Sequence, residues 1–167
     1  ISDEKVTYGI PLEWRDKHGV RRYGFHGASH RYIAEHAPGI MGWDAKKTKT
    51  AGIVNCHLGG SSSLCAIRDM KSFDTTMGFS VQTGIPHAER CETVDAFVAL
   101  FIQETLGLST VEVGEVLCSN GGLKGISGLS GDMRDLWEGK AQGNPRAALA
   151  LDVWAYQVRR EIAGMAA

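Results

Sequence analysis

The chain has 167 residues, of which 43% are hydrophobic and 22% are charged, and its formal net charge is −1. This length suits a domain with its own core, and the composition excludes a disordered segment and a membrane-spanning bundle. The charge, without any block of one sign, argues against a dedicated nucleic-acid binder, which needs a basic face. A small anionic ligand is compatible with it, because a local cluster of donors can hold an anion.

Four cysteines, at positions 56, 65, 91 and 118, form no CxxC pair, so their spacing indicates neither a zinc site nor a redox motif. We expect free thiols in a reducing cytoplasm, because a core of this size needs no disulfide framework. The sequence contains no signal peptide and no apolar run of transmembrane length. It begins at Ile1 and its residues 161–167 still have a helical pattern, so we expect that both ends are cut.

The first half of the chain contains the predicted β-structure. A helix is predicted over residues 29–36, and the apolar run 52–58 predicts a buried strand. A turn of small residues follows at 59–63, and two further strands are predicted at 64–67 and 72–76. The turn predicted at 68–71 between them completes an antiparallel meander.

Beyond Pro86 the apolar period becomes helical. One helix is predicted to end near Gly107, and it carries an apolar face formed by Val94, Phe97, Val98, Phe101 and Ile102. Ser109 and Glu112 have the spacing of a capping box and predict the start of a second helix, which ends before Asn120.

A glycine-rich stretch, residues 121–131, precedes a short helix predicted to begin near Asp132. Asn144 as N-cap and Pro145 at the first position predict a long final helix. Its apolar stripe consists of Leu151, Trp154, Val158, Ile162 and Met165, and its polar face of Asp152, Arg159 and Arg160. Because strands come early and helices late, the sequence predicts a mixed α/β fold.

The sequence GFHGASH, residues 24–30, contains the first candidate site residue. His26 lies just before a predicted helix and is followed by Gly27. An imidazole in this position can donate to an anionic oxygen, because the helix N-terminus favours an anion and the glycine lets a ligand approach. The alternative is a buried structural histidine whose partners are backbone groups.

The sequence HLGGSSS, residues 57–63, lies between the first two predicted strands. Adjacent glycines permit positive φ angles, so consecutive backbone N–H groups can turn towards a phosphate, and the serine hydroxyls add donors. The segment is not a Walker loop, because no Gly-Lys-Ser/Thr follows. The alternative is an ordinary hairpin turn, which the sequence of this segment alone favours.

Arg90 is the third candidate. A guanidinium is suited to clamping the equatorial oxygens of a transferring phosphoryl group, whereas a solvated surface charge is the alternative.

The fourth candidate is SGDMRDL, residues 130–136, in which Asp132 is predicted to cap a helix and Arg134 and Asp135 to form a polar face. A ligand-binding role for this segment is the alternative.

In this order and spacing, the four segments resemble the acetate kinase family. The matching stretches are RRYGFHGASHRYI (21–33), IVNCHLGGSSSLCAI (53–67), SFDTTMGFS (72–80), the turn at 84–90 and SGDMRDL (130–136). The resemblance extends over nearly the whole chain. The combination of GFHGxSH with CHLG and DTTMGF is highly specific.

The resemblance implies a ribonuclease H-like, actin-like ATPase fold, shared by acetate and sugar kinases, Hsp70 and actin, in which two related domains close around ATP. Residues 1–167 would form most of the second, nucleotide-binding domain, without the first domain and without the end of the second. The implied reaction converts ATP and acetate into acetyl phosphate and ADP with Mg²⁺, in a cytoplasmic homodimer. One alternative is a propionate or butyrate kinase of the same fold, and another is a truncated, non-catalytic module. A dinucleotide-binding oxidoreductase is disfavoured, because no GxGxxG follows a strand.

The resemblance also implies roles for individual residues. His26 and Arg90 would stabilise the transferring phosphoryl group. The phosphate-contacting hairpin would consist of His57, Leu58, Gly59, Gly60 and Ser61, and the residues beside the adenosine would be Asp132, Met133 and Arg134. No residue of the chain is expected to bind the metal. The family's catalytic aspartate, acetate-binding arginine and magnesium-associated carboxylate would lie outside this chain, so we expect the isolated chain to be inactive.

The chain departs from the family pattern around these residues. The usual loop is HLGNG, but Gly60 replaces its asparagine and Ser61 its second glycine, so a side-chain amide is lost while the backbone donors remain. Residues 87–89 are His-Ala-Glu where many members have Met-Gly-Thr, and residues 92, 93 and 96 also differ. The carboxylate of Glu89 would repel a phosphate unless it points away. These departures leave the pose of Arg90 open.

Overall fold

The computed structural model describes residues 1–167 and contains three strands and nine helices. The strands are β1 (Gly52–Leu58), β2 (Ser62–Arg68) and β3 (Lys71–Thr75). The helices before them are α1 (Asp3–Val6), α2 (Leu12–His18), α3 (Gly27–Ile40) and α4 (Ala45–Thr50). The helices after them are α5 (Ala96–Leu106), α6 (Thr110–Ser119), α7 (Gly122–Ser127), α8 (Met133–Ala141) and α9 (Pro145–Ala166).

The chain divides into two compact units. The first unit comprises residues 1–58, 63–81 and 160–167, and the second comprises residues 59–62 and 82–159. No helix in either unit combines the length and the apolar character that a bilayer crossing requires.

The predicted meander is confirmed, because β2 pairs with β1 on one side and with β3 on the other. β2 and β3 are antiparallel, with Cys65 opposite Thr75 and a bulge after Ala66. Asp69 and Met70 connect them with φ angles of 49° and 58°, the left-handed pair that a two-residue hairpin loop needs. β2 begins earlier than the predicted 64–67, because residues 62 and 63, expected in the turn, are buried in the strand.

The core of the first unit lies between the sheet and α3. Ala34 of α3 packs with Cys65 and Ile67 of β2, and Ile53 of β1 covers this cluster. The helix predicted over 29–36 is confirmed but is longer at both ends. Contact with the sheet explains the added length, since tertiary packing supplies most of the stability of a helix in a protein.

The core of the second unit is helical. Its buried members are Leu123, Leu136, Ala147, Ala150 and Leu151, against which Ile126, Met133 and Trp154 pack. The first part of the stripe predicted on α9 is therefore confirmed, but Ile162 near its end is 38% exposed. A stripe is buried only as far as neighbouring elements extend along it, which the sequence of the helix does not encode.

Local capping signals predicted the starts of α6 and α9 correctly. The hydroxyl of Ser109 accepts a hydrogen bond from the N–H of Glu112, whose carboxylate accepts from the N–H of Ser109, so the capping box is present. Asn144 Oδ1 accepts from the N–H groups of Arg146 and Ala147 at the start of α9. Each cap satisfies backbone donors that the first helical turn leaves without a partner.

The apolar face predicted from Val94 to Ile102 is not buried, and Val94 lies before α5, which begins at Ala96. Phe97 is 75% exposed and Phe101 61%, and no residue of α5 is buried. Periodicity correctly predicted the helix and its end at the left-handed Gly107. α6 is the neighbour of α5, and it leaves this face uncovered.

Candidate functional site

His26 has an unusual backbone conformation at the start of α3. Its φ and ψ angles are 59° and 28°, in the left-handed region, and its side chain does not cap the helix. A residue other than glycine in this region carries about 1–3 kcal/mol of strain and keeps the conformation only where its surroundings impose it. Gly24, with φ 73°, lets the chain approach Thr75 closely, since a Cβ at position 24 would lie 2.8 Å from Thr75 Cγ2. The strain favours the functional interpretation of His26 over that of an ordinary core residue.

Three histidines of the first unit meet beside Ser63. His26 Nδ1 and His30 Nε2 each lie 2.8 Å from Ser63 Oγ. The ring of His57 stacks on that of His26, with 4.0 Å between the centroids and 25° between the planes. The structure therefore brings together two of the predicted site residues, His26 and His57, and adds His30, which was not predicted. The hydroxyls of Ser62 and Ser63 were expected to donate to a phosphate. That of Ser62 instead donates to the carbonyl of Gly59, and that of Ser63 is buried beside the histidines.

Two further polar side chains complete this histidine cluster. Asn55 Nδ2 lies 2.8 Å from His30 Nδ1, and Ser29 Oγ lies 3.0 Å from His57 Nδ1. The spacing of His26 and His30 is the one signal that could have pointed to His30, because residues four apart lie on the same side of a helix. Nothing in the local sequence marks Asn55, which reaches His30 only through the packing of β1 against α3.

Burial controls the charge of His30. The pKa of its imidazole falls from 6.5 to about 4, chiefly because burial disfavours the charged form and secondarily because His26 and His57 are close. His30 is therefore neutral at physiological pH and carries a proton on one ring nitrogen only.

In the second unit, the hairpin connection at 59–62 is bonded to the segment that contains Arg90. Arg90 Nη1 donates to Ser61 Oγ at 2.9 Å. The N–H of Ala88 donates to the carbonyl of Gly60 at 3.0 Å, and the N–H of Ser62 donates to Nδ1 of the buried His87 at 2.8 Å. Arg90 and Ser61, both predicted site residues, are thus in direct contact, and Ser61 occupies a position where the family pattern has glycine.

The geometry of the glycines differs from the expectation. The phosphate-binding interpretation of residues 57–63 assumed that adjacent glycines adopt positive φ angles. Neither Gly59 nor Gly60 does so. Both glycines are exposed, and a Cβ at position 60 would meet no atom within 4 Å. Leu58, at the end of β1, is exposed as well.

Glu89 is paired with a lysine. Its carboxylate oxygen Oε1 lies 3.4 Å from Lys124 Nζ, and both side chains are partly exposed. The positive charge of Lys124 offsets the negative charge that this departure from the family pattern introduces beside Arg90.

The glycine-rich stretch 121–131 supports the segment 87–91 through close backbone contact. The N–H groups of Gly121, Leu123 and Lys124 donate to the carbonyls of residues 89, 87 and 88 at 2.8, 2.8 and 3.0 Å. Gly122 has φ 58°, and a Cβ there would lie 2.5 Å from the carbonyl oxygen of Arg90 and closer still to that of residue 87. Only glycine allows this approach, which explains why residues 121–131 are rich in glycine. This stretch had no predicted role, and α7 within it was not predicted.

Asp132 caps α8, as predicted, by accepting a hydrogen bond from the N–H of Arg134 at 2.8 Å. The Arg134 side chain also donates to this carboxylate, and these bonds lower the pKa of Asp132 to about 2. Met133 packs against the core of the second unit. The three residues predicted beside an adenosine therefore lie at one helix start, where Arg134 is 90% exposed along its side chain.

Comparison with solved structures defines the class of protein. The structure matches a crystal structure of Porphyromonas gingivalis acetate kinase with a TM-score of 0.94 at 33% identity, covering 99% of this chain and 41% of that one. It matches a propionate kinase from Francisella tularensis subsp. tularensis with a TM-score of 0.91, at the same identity and coverage. The fold is therefore part of the actin-like ATPase fold of the acetate and propionate kinases.

The model of the acetokinase family matches residues 1–167, and the chain belongs to this family. It is 43% identical over 155 residues to the acetate kinase of Methanosarcina thermophila, which covers 93% of this chain and 37% of that protein. The chain thus spans about 40% of the length of the curated relatives that it matches.

The neutral state of His30 predicts how stability depends on pH. Because its pKa is about 4 in the folded chain and 6.5 in the unfolded one, only the unfolded chain takes up this proton as the pH falls between these values. We expect His30 to remove up to about 3 kcal/mol of unfolding free energy across this window and no more below it. Urea unfolding from pH 7.5 to 4 measures this, with His30→Gln expected to flatten the profile. His18→Gln, at an exposed site, is the control; equal profiles for the wild type and His30→Gln would contradict the prediction.

The close backbone contact at Gly122 predicts that Gly122→Ala strongly lowers the stability of the chain. Gly107→Ala is the matched control, because Gly107 also has a left-handed φ, of 67°, but open space around it. We expect Gly107→Ala to cost about 1 kcal/mol from backbone strain alone. Gly122→Ala should cost more than about 3 kcal/mol, because the carbonyls of residues 87 and 90 must also move. Chemical denaturation of both variants compares them, and similar losses would show that the close approach does not matter.

Proposed function

We propose that the protein carrying this chain transfers the γ-phosphoryl group of ATP to acetate, reversibly, giving acetyl phosphate and ADP. Residues 1–167 would form most of its second, nucleotide-binding domain. Membership of the acetokinase family over the whole chain supports this, as do relatives named acetate kinase. The observation that carries the proposal is the imposed conformation of His26, which is strained, stacked on His57 and bonded to a buried serine.

His26 and Arg90 are proposed to hold the phosphoryl group during transfer. In-line transfer needs alignment and compensation of the negative charge on the equatorial oxygens, and little covalent chemistry from the protein. Donors fixed before the reaction are effective because they need no reorganisation as charge develops. Ser63 fixes the His26 ring and Ser61 fixes the Arg90 guanidinium, which supports this role for each of them within its own unit.

The nucleotide is proposed to lie along the hairpin connection and the start of α8. His57, Leu58, Gly59, Gly60 and Ser61 would contact the phosphates, which the exposure of both glycines supports. Asp132, Met133 and Arg134 would lie beside the adenosine.

Magnesium would neutralise the charge of the nucleotide phosphates in a reaction of this class. No three metal-ligating side chains of the chain gather closely enough to hold an ion. None of the residues of this chain is assigned to the metal.

The enzyme is proposed to be a cytoplasmic homodimer. All four cysteines are free, and burial raises the thiol pKa of Cys65 and Cys91, which makes them poorly reactive. Free thiols are typical of proteins in a reducing compartment such as the cytoplasm, which supports this location.

A propionate kinase is the second candidate, because the chain is as similar in sequence to the solved propionate kinase as to the solved acetate kinase. The pocket that selects the length of the carboxylic acid is expected to lie partly outside this chain. A non-catalytic module is the third possibility, favoured by the altered residues at 60, 61 and 87–89.

The hydroxamate assay tests the catalytic proposal on the full-length protein. ATP, hydroxylamine and acetate, propionate or butyrate are supplied in parallel, and acetate is expected to turn over fastest. His26→Ala and Arg90→Ala should each lower kcat by about 10²–10³, as removal of one donor to a developing anion does elsewhere. His36→Ala, at an exposed position on α3, should leave kcat unchanged.

Equal activity of the wild type and both donor variants would exclude these roles. A preference for propionate would support the second candidate. The isolated 167-residue chain should form no product above its His26→Ala variant.

Restoring an asparagine at position 60 tests the hairpin. In calorimetry we expect the chain to give heat with ATP·Mg, and Gly60→Asn to bind about tenfold more tightly, because one hydrogen bond to a charged group is gained. Gly60→Ala is the control, since a Cβ at this position meets nothing. Absence of heat for both the wild type and Gly60→Asn would favour the non-catalytic module.

A further inference from the structure

Ser63 places a strict condition on the two histidines beside it. Its hydroxyl carries one proton, yet ring nitrogens of His26 and His30 both lie 2.8 Å from the oxygen. A hydroxyl can donate only one hydrogen bond but can accept two, so at most one of the two histidines accepts from Ser63 and at least one donates to it. Ser63 is 0% exposed, so bulk water cannot bond to its hydroxyl.

Asn55 determines which histidine donates. Its amide nitrogen Nδ2 carries protons only, so Nδ1 of His30, 2.8 Å away, must accept. The low pKa of His30 keeps the ring neutral, and its single proton therefore lies on Nε2. Nε2–H then donates to Ser63 Oγ. The buried hydroxyl of Ser63 needs an acceptor for its own proton, and Nδ1 of His26 is its other partner, so the proton is directed there.

We propose that Asn55, His30 and Ser63 form a directional hydrogen-bond chain that fixes the neutral His26 ring as the tautomer protonated on Nε2. The three are positioning residues, since they act through His26. The inference rests on the proposed function in one respect: a phosphoryl oxygen is an acceptor, so the proton-bearing nitrogen of His26 attracts it and an Nε2 lone pair would repel it. The stacked ring of His57 holds the plane in which that proton lies.

Nitrogen-15 NMR tests the direction of the chain. The sequence has six histidines, so long-range proton–nitrogen spectra of the labelled 167-residue chain can be assigned with single His→Gln variants. At alkaline pH, where the histidines are neutral, we expect His30 and His26 each to have an unprotonated Nδ1 and a protonated Nε2. A His26 ring protonated on Nδ1, or present as a mixture of tautomers, would overturn the proposal without any variant.

Asn55→Asp provides the sharper test, because a carboxylate of nearly the same shape can only accept. His30 should then carry its proton on Nδ1, its Nε2 should accept from Ser63, and the Ser63 oxygen should accept from His26. The proton of His26 should therefore move from Nε2 to Nδ1, although position 55 bonds to His30 and not to His26. A merely structural role for Asn55 would leave the His26 tautomer unchanged, and that result would overturn the proposal.

Two controls isolate the route. In Asn55→Asp/Ser63→Ala the chain is cut, so His26 should no longer respond to the aspartate; an unchanged response would show that the charge acts through space. Asn120→Asp adds the same charge at an exposed position in the second unit and should leave His26 as in the wild type. If Asn55→Asp does not fold, the tautomers of His26 and His30 in the wild type test the proposal by themselves. Because the spectra need no turnover, failure of this proposal is distinct from failure of the hydroxamate assay.

Discussion

The histidine cluster depends on one buried hydroxyl group, that of Ser63, and on the alignment of α3 with β2 that places it. Ser63, Cys65 and Ile67 alternate along β2, and Ala34 packs on the last two. His30 is four residues before Ala34, about 6 Å along a helix, and Ser63 is two residues before Cys65, about 6.6 Å along a strand. These distances match, so the apolar contact that forms the core also brings His30 to Ser63. A slip of β2 by one residue would turn Ser63 to the other face and separate them.

The strain at His26 is explained by the same arrangement. A left-handed histidine costs about 1–3 kcal/mol, and a hydrogen bond together with a ring stack offsets a cost of this size. The gain is a ring whose orientation is fixed before any ligand arrives. A donor fixed in advance is effective at a developing charge, because it needs no reorganisation during the reaction.

The second unit fixes Arg90 by another means, namely close backbone packing. The departures from the family pattern are accommodated locally: His87 accepts from Ser62, Ser61 accepts from Arg90, and Lys124 neutralises Glu89. Glycines at 121, 122 and 131 let the backbone of the neighbouring stretch approach without a Cβ. Three changed positions thus have partners within the same unit, which explains how the arginine keeps a defined contact despite them.

The sequence by itself determined the strand meander, the helix starts at Asp132 and Asn144 and the capping box at Ser109, because periodicity and capping are local. It also marked His26 and Arg90, through the family resemblance and not through residue type. Only the tertiary structure decided the roles of Asn55, His30 and Ser63, which contact partners 25 to 37 residues away. It alone showed α7 within the glycine-rich stretch and the exposed face of α5. The physical reason is that a side chain's partner, and the burial of an apolar face, depend on which elements pack together, and no local pattern encodes that.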